Sequence, residues 1–141
     1  MPMTFLYLAH SGLRYLVLLA GLIAVVYFAA AFFSRRPDEK AGRILMSVFV
    51  GVLDLQIVLG LLLVIGGIYY PMVIGHIAMM LLAAAAAHVY AVRAKRASVP
   101  LIAHRFRLIG TLLALGLIAA GITAIGRGLF ETRAATIALG L

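Results

Sequence analysis

The chain has 141 residues, 66% of them apolar and 11% charged, with a formal net charge of +8 and no cysteine. A soluble domain carries roughly a quarter charged residues, so this composition cannot cover a water-soluble fold and belongs to a membrane protein. The lack of cysteine excludes disulfides, thiolate zinc sites, iron–sulfur clusters and thiol catalysis within the chain.

A membrane-crossing helix needs about 20 mostly apolar residues, and four windows meet that length. The first spans residues 5–33, longer than the hydrocarbon requires, so it should tilt or protrude. No basic segment precedes it and it is too long for a cleavable signal, so it is expected to remain as the first helix. A polar stretch follows, with Pro37 as a helix stop or a new first turn. The second window covers 44–66 and ends at Gly66 and Gly67, which with Tyr69, Tyr70 and Pro71 read as a short uncharged turn. The third covers 73–92. A basic segment with Ser98 and Pro100 leads to the fourth, 106–125. A short tail, 127–141, is read as interfacial. The expected fold is all-α: one domain, a transmembrane four-helix up-down bundle with sequential helices as antiparallel neighbours.

The positive charge has a position. Nine of the twelve Lys and Arg fall in residues 35–43 and 93–107. Basic inter-helix segments mark the cytoplasmic side, so this is a topology signal and nucleic acid is not an expected partner. Both termini are then expected on the non-cytoplasmic side of a bacterial inner membrane, with Tyr69 and Tyr70 at the outer interface. Tryptophan is absent, so any aromatic belt is built from Tyr and Phe.

Ionisable side chains within a bilayer cost about 2.5–3.5 kcal/mol on insertion scales and are functional candidates by default. Here they are His10, Arg14, Asp54, Gln56 (polar, uncharged), His76, His88 and His104. At about 1.5 Å per residue, His10 and His76 lie at similar depth near the outer ends of parallel helices. A haem with two axial imidazoles needs ligands at one level on facing helices, and this pair meets that test best. His88 lies about 18 Å deeper than His76 and about 120° around the helix. His88 with His104 is the second candidate pair and meets the test less well, because His104 sits outside Arg107 in the fourth window. For His104 an ordinary interfacial histidine is the better reading.

Arg14, one turn from His10, can hold a propionate, and Arg105 and Arg107 can do the same at the inner face. Gly60, Gly66, Gly110, Gly116 and Gly121 leave room for a macrocycle, although close helix packing explains any one of them as well. Asp54 is expected to pair with Arg14, as a structural ion pair or a proton relay, or with His88. Gln56 is expected to bond to a neighbouring helix, and Met79 and Met80 to fill the core. Ser11, Ser47 and Ser98 lack a base and orienting carboxylate in register, and no phosphate-binding glycine loop is present.

Three stretches carry a resemblance: Leu8-Ala9-His10-Ser11-Gly12-Leu13-Arg14-Tyr15, Asp54-Leu55-Gln56-Ile57-Val58-Leu59-Gly60, and His76-Ile77-Ala78-Met79-Met80 with His88. Together they resemble a family of small bacterial four-helix membrane proteins of cytochrome b-like type, similar in outline to the b561-type and other diheme b cytochromes. The matching positions are His10, Arg14, Asp54, Gln56, His76, His88 and the segment at His104 and Arg105. The chain departs in having Tyr15 where Trp is usual, and in a twelve-residue histidine spacing shorter than in better-known diheme cytochromes. The resemblance implies one or two b-type haems held by histidines.

Three functions follow. The first is a haem-carrying electron carrier, working with a quinone pool, within a larger respiratory or redox complex, or as a homo-oligomer. The second is a haem-free accessory subunit of a membrane complex. The third is a small transporter or proton conductor using Asp54, His88 and Arg14.

Overall fold

In the computed structural model, which describes residues 3–38 and 40–129, the four apolar windows are four helices. They are α1 (Met3–Phe33), α2 (Lys40–Ile65), α3 (Pro71–Arg96) and α4 (Pro100–Ala124). Each is long and apolar enough to cross a membrane. The 31 residues of α1 span about 46 Å at 1.5 Å per residue, against about 30 Å of hydrocarbon.

Five helix ends fall outside the expected windows, Met3 and Pro71 by two residues and three others by four or more. α2 begins at Lys40, α3 continues to Arg96 and α4 begins at Pro100, so seven of the nine Lys and Arg in the basic segments lie on helices. Hydropathy marks only the stretch inside the hydrocarbon. The helices run on into the interface, where Lys and Arg stems lie along apolar surface with their heads in water. Arg93, Lys95 and Arg96 occupy the last turn of α3, where cations favour the helix C-terminus. Pro100 opens α4 at a first-turn position, where its missing N–H has no helical partner to lose. The expected tail beyond residue 129 lies outside the described residues.

The turns close by local chemistry. At the end of α2, Ile68 N–H donates to the Leu63 carbonyl and Gly67 N–H to Val64, both at 3.0 Å, with Gly67 at φ +94°. This is the Schellman arrangement that glycine favours. α1 ends the same way through Arg36 to Ala31 and Arg35 to Phe32, but the left-handed position is held by Arg35 at φ +50°.

α1 packs on α2 and α4, and α3 packs on α4 and α2, so α1 faces α3 across a diagonal. Sequential helices are antiparallel neighbours, as an up-down bundle requires. The α3–α4 seam is the closest and α2–α3 the loosest. The close seam is rich in small residues: Ala83, Ala87 and Ala94 on α3 and Ala103 and Ala114 on α4 are all fully buried. A Cβ on Gly110 would run into Tyr90. Without a hydrophobic drive between helices in lipid, such close backbone approach is what holds them together. Leu16, Leu19, Leu22, Leu55, Leu82 and Leu112 point outward, as lipid-facing side chains should.

Candidate functional site

Toward the end of the bundle away from the basic segments, the diagonal between α1 and α3 opens into a cavity of about 1110 Å³. Its walls are mostly apolar, among them Val17, Leu53, Ile57, Ile118 and Ile122, and its polar lining includes His10, Arg14, Gln56, His76 and Arg127. Sites for small molecules and cofactors have this character and measure about 300–1,000 Å³.

His10 and His76 face each other across it. Their ring centres are 6.4 Å apart with planes at 83°. Each ring is fixed from behind by a backbone carbonyl of an adjacent helix. His10 Nδ1 lies 3.1 Å from the Gln56 carbonyl, and His76 Nδ1 lies 2.9 Å from the Gly121 carbonyl. A carbonyl only accepts, so each Nδ1 carries the proton and donates, and each Nε2 keeps its lone pair. This outer partner orients a metal-ligating histidine and sets its tautomer.

Gln56 grips α1 a second time, its amide donating to the His10 carbonyl at 2.9 Å. The same amide reaches His10 Nε2 at a long 3.4 Å. Glycine lets both rings sit close to the neighbouring helix. A Cβ on Gly60 would stand 3.0 Å from the His10 ring, and one on Gly121 would meet Met80 at 2.6 Å and His76 Nδ1 at 3.5 Å.

Two cations reach the cavity. Arg14 is buried and donates to the Tyr15 hydroxyl at 2.9 Å. Arg127, just beyond α4, donates to the Tyr7 hydroxyl at 2.6 Å.

The set fits a metal held inside a macrocycle. Imidazoles binding one metal from opposite sides at about 2.0–2.1 Å put their ring centres roughly 6–6.5 Å apart, and the observed 6.4 Å lies in that range. The two rings could supply two ligands to such a group. Among the described residues no three His, Asp or Glu side chains gather to hold a bare ion.

The second expected pair is not brought together. His88 points away from the bundle core: its Nδ1 donates to the Ala84 carbonyl one turn back at 3.0 Å, and its Nε2 lies 3.3 Å from Asp54 on α2. His104 is fully buried, with Nε2 donating to the Pro37 carbonyl at 3.2 Å. The rotation along α3 that turns His76 inward turns His88 outward, while the early start of α4 carries His104 inward under the first loop. Asp54 therefore has His88 as its partner, the second of the two expected, and the Arg14 guanidinium lies at the cavity instead. The three groups of the transporter reading are split between the cavity and the outer surface.

At the basic end Arg107 is committed to structure. Its two terminal nitrogens donate to both oxygens of Asp38, at 2.7 and 3.2 Å. That hydrogen bond, with the positive charges of Arg107 and Arg43, holds the Asp38 carboxyl below its ordinary value near 3.8. Arg105 is exposed. Gly116 is exposed with open space around it and is not among the residues that line the cavity.

Sequence reasoning missed the carbonyls of Gln56 and Gly121, because backbone acceptors carry no sequence signal. It also missed Arg127 with Tyr7. The available hint was a lone arginine just beyond the fourth helix, at the level of the outer histidines.

Compared with family models, curated proteins and solved structures, the chain gives no match. The four apolar helices and the diagonal histidine cavity define a multi-pass membrane bundle with a cofactor-sized site.

Proposed function

We propose that the chain is a membrane b-type haem protein that carries electrons within or across the bilayer, with one haem between His10 and His76. One observation carries the reading: two histidines on diagonal helices face each other at 6.4 Å with each Nδ1 tied to a backbone carbonyl, His10 Nε2 meeting only the Gln56 amide at a long 3.4 Å, beside a cavity large enough for a macrocycle.

In this reading His10 and His76 would hold the haem iron through Nε2. The Gln56 and Gly121 carbonyls hold the two rings in the ligating tautomer. Gly60 and Gly121 keep the backs of the rings clear. Arg14 and Arg127 neutralise the cofactor's carboxylates where bare acids would be costly in lipid. The apolar walls exclude water, which favours the less charged metal state. A bound haem supplies reversible one-electron exchange. The basic loops are cytoplasmic and the histidine end lies on the opposite side of a bacterial inner membrane, supported by the charge asymmetry. A quinone pool or a larger redox complex is the proposed electron partner.

One observation favours the haem-free accessory reading. The histidine–carbonyl bonds join α1 to α2 and α3 to α4, so they serve equally as inter-helix ties.

Purified protein expressed with ample haem separates the two. The expected result is a b-type reduced-minus-oxidised spectrum with about one haem per chain. His10→Phe and His76→Phe should each abolish the pigment, while His88→Phe and His104→Phe retain it. Colourless wild-type protein with no iron would sink the haem reading, and a ratio near two would restore the second site.

A further inference from the structure

The Gln56 side chain lines the cavity, and the residue is only 7% exposed. Its amide oxygen is buried with no hydrogen-bond partner. An unsatisfied buried acceptor lowers stability, and an apolar side chain of the same length would avoid that loss. The amide instead holds one ring. Its nitrogen donates to the His10 carbonyl at 2.9 Å, which fixes the amide, since the opposite orientation would set two oxygens against each other. The same nitrogen stands 3.4 Å from His10 Nε2, while the Gln56 backbone carbonyl accepts from Nδ1 at 3.1 Å. A single bond at Nδ1 would leave the imidazole able to tilt about it. The contact at the second nitrogen opposes that tilt, and the Cε1 edge rests over Gly60, where even a Cβ would stand only 3.0 Å away. At 3.4 Å the amide guides the ring without competing strongly for the Nε2 lone pair. His76 is held differently, by the Gly121 carbonyl of α4 at 2.9 Å. The two rings are thus set by separate helix pairs, and their planes cross at 83°.

We infer that the Gln56 side chain is a positioning residue that sets the plane of the His10 imidazole, near-perpendicular to that of His76, for the group the two rings hold. The inference rests on the haem reading above and adds to it. The two backbone carbonyls choose the tautomer, whereas the Gln56 amide chooses the plane, as outer partners of ligating histidines do. The plane has an electronic consequence at a haem. Crossed imidazole planes leave two iron d-orbitals nearly equal in energy, and the oxidised low-spin state then gives a strongly anisotropic electron paramagnetic resonance signal dominated by one low-field feature. Parallel planes split those orbitals and give three resolved rhombic features.

Low-temperature electron paramagnetic resonance of the oxidised, haem-loaded protein tests this. Wild type should show the single low-field feature. Gln56→Met keeps the side-chain length and the backbone carbonyl but loses the amide. Its low-field feature should move toward the rhombic pattern, with haem affinity about tenfold weaker. Gly60→Ala, which presses on the same ring at Cε1, should also shift the signal, whereas Leu112→Ala, on the exposed face of α4, should not. Should Gln56→Met fail to fold, Gln56→Asn, one methylene too short to make both contacts, gives the same readout. A purely structural Gln56 would lower the unfolding temperature and leave the signal as in wild type, and that result overturns the inference. So does a rhombic signal from pigmented wild type, which leaves the haem reading intact. Colourless wild type overturns the haem reading and this inference with it.

Discussion

Arg107 is 2% exposed and fully charged, so its environment must supply an anion. Asp38 does, through two hydrogen bonds across 69 positions of sequence, and Arg43 joins it at 3.5 Å. Removing one partner of a buried pair leaves an uncompensated charge. Asp38→Ala should therefore destabilise the protein by about 3 kcal/mol, read as a lower unfolding temperature in detergent. Because the folded carboxyl is held below its ordinary value, this stabilisation is present above about pH 3.8 and is lost as pH falls through the depressed value. A melting temperature insensitive to acid in wild type but not in Asp38→Ala would contradict that account. Neither partner was visible in the sequence as a pair. The charge of Arg107 was legible, but its commitment to a loop carboxylate depended on where α4 begins.

At the scale of elements, the α3–α4 seam depends on the absence of side chains. Gly110 lies against Tyr90 and Gly121 against Met80, whereas Gly116 borders open space. Overpacking a tight contact costs about 1–3 kcal/mol. Gly110→Leu should lower stability by that amount and Gly116→Leu should be tolerated, a contrast that thermal unfolding in detergent measures. Equal losses would mean that the seam is not the close contact described. The glycines were conspicuous in the sequence, but their jobs were not separable there: the same residue type serves as ring clearance at Gly60, as helix contact at Gly110 and as a turn at Gly67. The basic segments teach a related lesson. Hydropathy locates the hydrocarbon and not the helix, so the helical ends through Lys40, Arg96 and Pro100 were hidden in what read as loops.

For the whole molecule, the charge asymmetry makes a directional prediction. Reporter fusions after Ala97 should be active only in the cytoplasm, and fusions after Gly67 only outside. The reverse pattern would invert the bundle and put the histidine cavity on the cytoplasmic side. The bundle arrangement also sets which histidines meet. With α1 and α3 on the diagonal, His10 and His76 reach each other across an open centre, while His88 and His104 are turned to opposite environments.

Apolar run length, punctuated by charge and proline, determined four membrane-length helices and their up-down order, because a continuous apolar run of about 20 residues in hydrocarbon satisfies its own backbone as a helix. Depth along parallel helices was legible too, since rise per residue is fixed, and it singled out His10 and His76. Tertiary structure alone decided the rest. Rotation of each helix about its axis chose which polar residues face the cavity, the lipid or one another. Long-range acceptors fixed the ring nitrogens, and the meeting of Asp38 with Arg107 and of Asp54 with His88 depended on how neighbouring helices sit. The physical reason is that periodicity orders residues along a single helix, whereas side-chain partnership is set by the packing between helices, which small residues and backbone carbonyls govern without announcing themselves in the sequence.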